Sequence, residues 1–273
     1  MPSSLTPIDQ LPNALGSMSE FVARIGDRKP AVFLDYDGVL TPIIDRPEDA
    51  TISEGMRTVV RDLASRCSVC VVSGRDLQMV QLLMGVHDLA VAGSHGFDIW
   101  TPDQGEIEHP RSDDFEEIIG EVTDRLTEEI GTVEGVLIEP KRASVGVHYR
   151  LVSVEDQPRV AAAVEQVVTE SPDRLRITPG KMVYEVLPNV EWNKGSAVLY
   201  LLEVLGLDRP DVVPIFLGDD VTDEYAFSAI ADRGIGIFVG RATDPEVGGR
   251  PTSATFVLAS PGEVQAFLDG FAR

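Results

Sequence analysis

Ala31-Val-Phe-Leu-Asp-Tyr-Asp-Gly38 is the stretch that decides the fold, because an apolar run passes directly into two acids. Its apolar half has the length of a buried strand, and Asp35 and Asp37 follow at once. Two carboxylates at such a place are costly to desolvate unless a cation or a partner neutralises them. A calcium loop does not fit, since Val39 replaces a needed acid and Leu40 replaces the required glycine. Taken alone, the segment can still be a plain turn, because Asp-Gly is common in β-turns.

On both sides of this stretch, short apolar runs alternate with amphipathic segments. The pattern predicts an α/β fold, in which a Rossmann-like, mostly parallel sheet carries helices on both faces. Ligands bind such sheets beyond the carboxyl ends of the strands, so polar residues at those ends are expected to converge on one cleft. The predicted strands are Ala31–Leu34, Ser68–Val72, Leu89–Ala92, Val212–Leu217, Gly234–Val239 and Thr255–Leu258, and the predicted helices are Ser53–Arg66, Asp76–Leu83, Lys194–Leu205 and Gly262–Phe271.

The middle of the chain has a different pattern, in which strands pair as neighbours with helices between them. We interpret it as an α+β unit inserted at residues 109–187, after a hairpin at Phe97–Ile107, so that residues 1–108 and 188–273 form the two parts of the core. Residues 1 to about 18 are predicted to be a loose leader. The predicted helices of the inserted unit are Asp114–Ile130 and Pro158–Ser171, and its strands are Gly135–Pro140, Ser144–Leu151 and those within Arg174–Leu187.

A second cluster of acids, Asp219, Asp220, Asp223 and Glu224, follows the predicted strand Val212–Leu217. The fold places this strand beside the first one. Hard oxygen ligands from two strand ends make a magnesium site with open positions for water and phosphate. The alternative is a helix N-terminus, where acids favour the helix dipole. Capping alone would explain Asp223 and Glu224 well, and the Asp219-Asp220 pair poorly.

Ser73 and Lys194 are candidate donors to a phosphate group. Ser73 ends one predicted strand and opens a helix, so its hydroxyl and the neighbouring amides can hold phosphate oxygens. Lys194 supplies the positive charge that an acidic protein needs at such a site. Either residue alone is weak evidence, since a Ser-Gly pair is usually a turn and a lone lysine is usually solvated.

The charge of the chain limits its partners. Its 273 residues include 45 acidic and 23 basic ones, for a net charge of −22. Such a charge repels nucleic acid and anionic membranes, so we expect neither as a partner. The sequence has no recognisable signal peptide and no apolar run of membrane-spanning length. Cys67 and Cys70 lie at odd spacing on a predicted strand, so their side chains point to opposite faces. We therefore expect a cytoplasmic monomer with two structural thiols.

Four groups of residues, taken in chain order, resemble the motifs of the haloacid dehalogenase superfamily of phosphatases. They are the pair Asp35 and Asp37, then Ser73, then Lys194, and then the acids between residues 219 and 224. A closer resemblance, over about residues 28 to 270, is to the trehalose-6-phosphate phosphatase family, and the inserted unit sits where that family carries its cap. The segments that carry the resemblance are Asp35-Tyr-Asp-Gly-Val-Leu-Thr-Pro42, Ser73-Gly-Arg75, Gly93-Ser-His-Gly96, His148-Tyr-Arg150, Asn193-Lys-Gly195 and Gly218-Asp-Asp-Val-Thr-Asp-Glu224.

The resemblance implies hydrolysis of trehalose 6-phosphate to trehalose and phosphate, with Mg²⁺ as the cofactor. Asp35 would attack phosphorus and form an aspartyl phosphate. Asp37 would protonate the leaving oxygen and later accept a proton from water. Ser73 and Lys194 would hold the phosphate oxygens as charge develops. The implied ligands of Mg²⁺ are Asp35, the backbone carbonyl of Asp37, Asp219, and Asp220 or Asp223.

The resemblance also implies which side chains contact the sugar of this small-molecule substrate. Arg75 and His95 would contact it from the core. The family more often has a longer acid at the position of Asp98. The implied contacts from the inserted unit are Glu139, Lys141, Arg150, Lys181 and Glu185.

Three alternatives remain open on the same scaffold. A hydrolase of sucrose phosphate, a glycosylglycerate phosphate or a hexose phosphate would differ only in its cap contacts. A phosphomutase would require a bisphosphate activator. A non-catalytic sensor of sugar phosphates would lack the nucleophile or the acid, whereas both Asp35 and Asp37 are present.

Overall fold

The computed structural model of the chain describes residues 5–108, 112–141, 143–190, 192–244 and 247–272. Its contacts divide the chain into two compact units, one of Met1–Ile107 with Asn193–Arg273, and one of Glu108–Trp192. The strands are β1 (Thr6–Pro7), β2 (Lys29–Leu34), β3 (Ser68–Val72), β4 (Ala90–Gly93), β5 (Asp98–Thr101), β6 (Gly105–Glu108), β7 (Leu137–Pro140), β8 (Val145–His148), β9 (Leu175–Gly180), β10 (Val183–Pro188), β11 (Val212–Gly218), β12 (Ile235–Val239), β13 (Pro251–Thr252) and β14 (Phe256–Leu258). The helices are α1 (Met18–Ile25), α2 (Glu54–Ala64), α3 (Leu77–Met84), α4 (Ser112–Ile130), α5 (Gln157–Thr169), α6 (Lys194–Val204), α7 (Glu224–Ile230) and α8 (Pro261–Phe271).

Eight strands of the described chain form the main sheet of the first unit, in the order β14-β12-β11-β2-β3-β4-β5-β6. The neighbours from β14 to β4 are parallel, and β5 pairs with β4 in the antiparallel sense. All seven residues of β11 are buried, as expected for a parallel strand that is covered on both faces. The prediction of an α/β fold with a mostly parallel sheet is therefore confirmed.

The order of the strands puts a crevice at the carboxyl ends of β2 and β11. From β2 the chain continues through β3 to β4 on one side, while β11, β12 and β14 lie on the other side. Ligands of open α/β sheets bind where the strand order reverses in this way. The acids that follow β2 and β11 lie at this place.

Helix α2 shows how the local sequence sets an element of this unit. The Ser53 side chain accepts a hydrogen bond from the Met56 backbone N–H at 3.1 Å, which caps the first turn. Val59, Val60 and Leu63 follow at helical spacing, and all three are buried in the core with Met56. The observed helix agrees with the predicted apolar stripe.

The second unit is a four-stranded sheet in the order β7-β8-β10-β9, with antiparallel pairing throughout. Its apolar face packs in one core with residues of α4 and α5, such as Leu126 and Val164. Along β8 the side chains alternate, so Val145 and Val147 are buried in that core while Gly146 and His148 belong to the opposite face. The role of this unit as a cap stays a prediction.

The prediction of a loose leader is wrong for the described part of the N-terminal segment. Strand β1 pairs with β13, and the side chains of Ile8 and Ala14 are buried. Helix α1, which we did not predict, places Phe21 edge-on against Phe256 and Phe267 at ring-centroid distances of 5.7 and 4.9 Å. A two-residue strand has no periodicity that a sequence could show, so its pairing depends on a partner far along the chain.

Two further expectations concern membranes and thiols. None of the helices in the described residues is both long and apolar enough to cross a membrane. Cys67 and Cys70 are free cysteines. Burial raises the pKa of the Cys67 thiol to about 11 and that of Cys70 to about 12, so both stay protonated at neutral pH. This agrees with structural thiols.

Candidate active site

Asp35 follows the last residue of β2 and is buried in the crevice between β2 and β11. Its backbone N–H donates to the Leu217 carbonyl at 3.0 Å, which extends the pairing of the two strands by one residue. One carboxylate oxygen, Oδ1, accepts the Tyr36 N–H at 2.8 Å. The chain then turns at Gly38, whose φ of +76° lies in the left-handed region that favours glycine. Asp35 and Asp37 therefore both lie between the end of β2 and this turn.

Three carboxylates meet at this end. Asp35, Asp219 and Asp223 each place an oxygen within 4.8 Å of the others, and all three side chains are buried. Asp223 is held in place because its Oδ2 accepts the backbone N–H groups of Asp219 and Asp220 at 2.8 and 2.9 Å. The two strand ends therefore supply a compact set of oxygen atoms, as predicted.

Lys194 is the cation of this cluster. Its Nζ lies 2.8 Å from Asp35 Oδ2 and 2.7 Å from Asp223 Oδ1, and only 4% of its side chain is exposed. Lys194 is the first residue of α6, where the Asn193 side chain caps the helix by accepting the Ser196 N–H at 3.1 Å. Burial by itself would lower the pKa of Lys194, but attraction to Asp223 and Asp35 outweighs it and raises the pKa above its usual value. The ammonium group therefore stays charged.

The cluster has more negative than positive charge. Burial raises the pKa of Asp35 well above its usual range; Lys194 opposes this effect, while Asp223 and Asp219 add to it. The cluster consists of three buried carboxylates and one buried ammonium group, and such an excess of negative charge is costly. Carboxylate oxygens are the ligands that Mg²⁺ prefers. The donor set therefore fits a divalent cation, which would remove the excess.

Asp220 is not part of this cluster. Its side chain accepts the Val221 N–H at 2.6 Å and caps a short 3-10 helix, Val221–Asp223. Capping was predicted to explain Asp223 better than the Asp219-Asp220 pair. The structure instead makes Asp220 the cap and gives Asp223 both a capping contact and the bond to Lys194.

Ser73 and Arg75 lie beyond the end of β3, next to the acids. Ser73 is buried, and its Oγ accepts the Arg75 backbone N–H at 3.1 Å. Helix α3 begins only at Leu77, so Ser73 belongs to a turn and not to the first turn of the helix. The Arg75 guanidinium donates two hydrogen bonds to Asp37, from Nε to Oδ2 and from a terminal nitrogen to Oδ1, both at 2.7 Å. Arg75 was predicted as a contact of the sugar, and the structure shows it paired with Asp37.

His95 supports this turn from the short 3-10 helix Ser94–Gly96, which follows β4. Its backbone N–H donates to the Ser73 carbonyl at 2.9 Å, and the Ser94 N–H donates to the Arg75 carbonyl at 2.7 Å. The ring lies against Gly74, where an added Cβ would be 2.7 Å from His95 Cε1. Ser94 and His95 both have positive φ, at 48° and 56°, a strain that tends to occur at functional sites. The structure therefore brings His95 together with Ser73 and Arg75.

The second unit holds the remaining predicted site residues. Glu139 and Glu185 lie on the polar face of its sheet, whereas Lys141 follows β7, Arg150 follows β8, and Lys181 lies in the turn between β9 and β10. Glu139 on β7 and Glu185 on β10 are both cross-strand partners of Gly146 on β8, one on each side. Lys141 donates to both oxygens of Glu185 at 2.9 and 3.1 Å. Arg150 is bonded to the backbone, since its guanidinium donates to the Lys181 carbonyl at 2.8 Å.

His148 is a member of this polar cluster that we did not predict as a site residue. Its Nε2 lies 2.9 Å from Glu139 Oε2. Burial acts to raise the pKa of Glu139, but the contacts with His148 and Lys141 outweigh it and lower the pKa below its usual value. The sequence could have indicated His148 through the alternation of side chains along β8. His148 stands two residues after Gly146, so both residues belong to the same face of the strand.

Comparison with solved structures establishes the class of protein. A trehalose-6-phosphate phosphatase related protein superposes with a TM-score of 0.74 at 27% identity, covering 89% of this chain and 96% of that chain. The C-terminal domain of a trehalose-6-phosphate phosphatase from C. albicans has the same fold, with a TM-score of 0.82 at 20% identity over 96% of this chain and 98% of that one. The fold is thus that of the phosphatases of the haloacid dehalogenase type.

The sequence comparisons narrow this class. The trehalose-phosphatase family model matches residues 33–262. A probable trehalose-phosphate phosphatase G of Arabidopsis thaliana is 39% identical over 279 residues, which cover 94% of this chain and 72% of the relative. A trehalose-phosphate phosphatase of Mycobacterium tuberculosis is 37% identical over 267 residues, which cover 97% of this chain and 67% of the relative. The chain belongs to the trehalose-phosphatase family, a family of phosphoric monoester hydrolases.

Proposed function

We propose that the chain hydrolyses trehalose 6-phosphate to trehalose and phosphate, with Mg²⁺, through an aspartyl phosphate on Asp35. The observation that carries the proposal is the buried cluster in which Asp35 contacts Lys194 beside Asp219 and Asp223. The substrate is proposed from the names of the relatives and of the family. The proposed reaction would be the last step of trehalose synthesis.

In the first step an oxygen of Asp35 attacks phosphorus, and the bond from phosphorus to the sugar oxygen breaks. Asp37 gives its proton to the departing oxygen. Lys194 and the Ser73 hydroxyl hold the oxygens of the transferring group by hydrogen bonds and charge. Lys194 already contacts the attacking carboxylate, so it aligns the nucleophile and lowers the repulsion between two anions.

In the second step Asp37 accepts a proton from a water molecule that attacks phosphorus, and the bond to Asp35 breaks. Phosphate leaves, and both carboxylates return to their starting state. Mg²⁺ would be held by Asp35, Asp219 and Asp223, with the Asp37 carbonyl as a further proposed ligand. When bound, the ion neutralises charge on the phosphate oxygens.

The proposed contacts of the sugar are His95 in the first unit and a polar cluster in the second. Paired carboxylates and cations on one sheet face offer both donors and acceptors, which suits a ligand with many hydroxyl groups. The pairs Lys141–Glu185 and Glu139–His148 fix the positions of these groups before the substrate binds. The proposed cluster consists of Glu139, Lys141, Arg150, Lys181 and Glu185.

The test of the proposal is phosphate release from trehalose 6-phosphate, glucose 6-phosphate and sucrose 6-phosphate, with Mg²⁺ and with chelator. We expect the trehalose ester to be hydrolysed fastest. Chelation is expected to lower its turnover by about a thousandfold, since a metal ion contributes several kcal/mol to stabilising charge in the transition state. Preference for another ester would contradict the proposed substrate but not the proposed mechanism. Full activity in chelator would contradict the proposed metal dependence.

Replacing Gly38 with alanine should weaken metal binding. A Cβ at this residue would lie 2.0 Å from Asp219 Oδ2, so the carboxylate must move. We expect the Mg²⁺ concentration for half-maximal activity to rise by about tenfold or more, as is usual when the support of a metal ligand is altered. Gly206→Ala is the matched control, because Gly206 also has positive φ but no atom lies within 4 Å of its added Cβ. An equal rise in both variants would contradict the prediction.

A further inference from the structure

The contact between Arg75 and Asp37 suggests a role for Arg75 that differs from binding the sugar. Asp37 is the more exposed partner, with 38% of its side chain accessible, whereas Arg75 is 7% accessible. The Arg75 guanidinium carbon lies 5.5 Å from the centre of the Tyr36 ring, and the Tyr36 hydroxyl donates to the buried Ala50 carbonyl at 2.7 Å. A fixed arginine therefore holds a carboxylate that would otherwise be free to rotate.

The two hydrogen bonds also fix the plane of the carboxylate. A guanidinium that donates from Nε and from a terminal nitrogen matches the two oxygens of a carboxylate, and lysine has no equivalent geometry. The backbone of the arginine is fixed as well. Its N–H donates to Ser73 Oγ, and its carbonyl accepts the Ser94 N–H. The turn after β3 thus determines where the Asp37 carboxylate points.

We infer that Arg75 is a positioning residue for Asp37, which orients the acid and base of the reaction toward the leaving oxygen. This inference rests on the proposed function and adds a residue to it. A carboxyl group that carries a proton on one oxygen can still accept a hydrogen bond on the other. Arg75 can therefore keep one of its two bonds while Asp37 gives its proton to the sugar oxygen, and re-form the second when the proton has left.

The inference predicts that the effect of Arg75 depends on the leaving group. A sugar alkoxide needs a proton in order to leave, whereas p-nitrophenolate leaves as a stable anion. Loss of orientation at Asp37 should harm the first reaction more than the second. A residue that binds phosphate, or one that only supports the fold, would affect both esters equally.

The experiment measures kcat/KM for the sugar phosphate that the wild type hydrolyses fastest and for p-nitrophenyl phosphate. This ratio reports the steps up to departure of the leaving group, so slow hydrolysis of the aspartyl phosphate does not mask the effect. In Arg75→Met we expect the sugar ester to lose about a hundredfold more than the aryl ester, the lower end of what general acids contribute. Arg75→Lys keeps the charge but lacks the two parallel N–H donors of the guanidinium. We expect its selective loss of kcat/KM on the sugar ester to lie between that of Arg75→Met and that of the wild type.

Asp37→Asn and the double variant complete the test. Asp37→Asn should show the same dependence on the leaving group. Adding Arg75→Met to it should cause little further loss for the sugar ester, because residues that act through one another are not additive. Equal losses on the two esters, or additive losses in the double variant, would overturn the inference. Additive losses would instead make Arg75 an independent contact of the sugar.

Arg57→Met is the matched control for loss of a partly buried arginine. Arg57 belongs to the same unit, and its Nε donates to the Met84 carbonyl at 2.7 Å. We expect it to lower stability without changing the ratio between the two esters. Because the sugar ester is chosen by its rate with the wild type, failure of trehalose 6-phosphate as the substrate would leave this test intact.

Discussion

Lys194→Met should remove both the activity and much of the stability of the protein. Among the residues that the structure describes, Lys194 is the one cation in contact with both Asp35 and Asp223, and all three side chains are buried. Breaking a buried ion pair by removing one partner leaves uncompensated charge and typically costs about 3–5 kcal/mol. Turnover should fall by about a thousandfold, since a preorganised charge on the transferring phosphate is also lost.

The stability part is measured by urea unfolding in chelator and again with Mg²⁺. We expect the loss in unfolding free energy to be largest in chelator, because a divalent ion on Asp35, Asp219 and Asp223 would replace part of the missing charge. Lys29→Met is the matched control, since Lys29 is exposed at the start of β2. A loss in Lys194→Met no larger than that of the control would mean that the buried acids are neutralised in another way.

The parts of the site that could be predicted from the sequence share one property. Asp35, Ser73 and Asp219 each follow a short apolar run, and the carboxyl ends of parallel strands meet at one edge. Local pattern and a general rule of topology were therefore enough to bring together residues that lie far apart in the chain. Lys194 was predicted by a different argument, which is that an acidic protein needs positive charge where it holds phosphate.

The contacts that could not be predicted depend on side-chain geometry between distant positions. Arg75 and Asp37 are 38 residues apart, and nothing in either segment shows that the guanidinium turns toward the acid and not toward a substrate. Asp220 and Asp223 are both acids within one turn, so spacing alone does not show which of them caps the helix. The pairing of β1 with β13 was missed because a two-residue strand shows no periodicity and its partner lies far along the chain.

Asp35→Asn is expected to lower kcat by at least about four orders of magnitude, which is the loss typical of removing a nucleophile. The amide has nearly the shape of the carboxylate, so the fold should persist. The substitution also removes one negative charge from the cluster, at a carboxyl group whose pKa is raised by burial. We therefore expect the variant to be at least as stable as the wild type in chelator, with the activity alone lost.

Trapping the covalent intermediate separates this mechanism from direct attack by water. Wild-type protein mixed with substrate labelled in its phosphate and quenched in acid should retain label, whereas Asp35→Asn should retain none. Asp62→Asn, an exposed change on α2, controls for the loss of a carboxylate elsewhere. Turnover by the wild type without retained label would favour a mechanism in which water attacks the substrate directly. In that mechanism Asp35 would act only as a ligand of the metal, and Asp35→Asn should then regain activity as the Mg²⁺ concentration is raised.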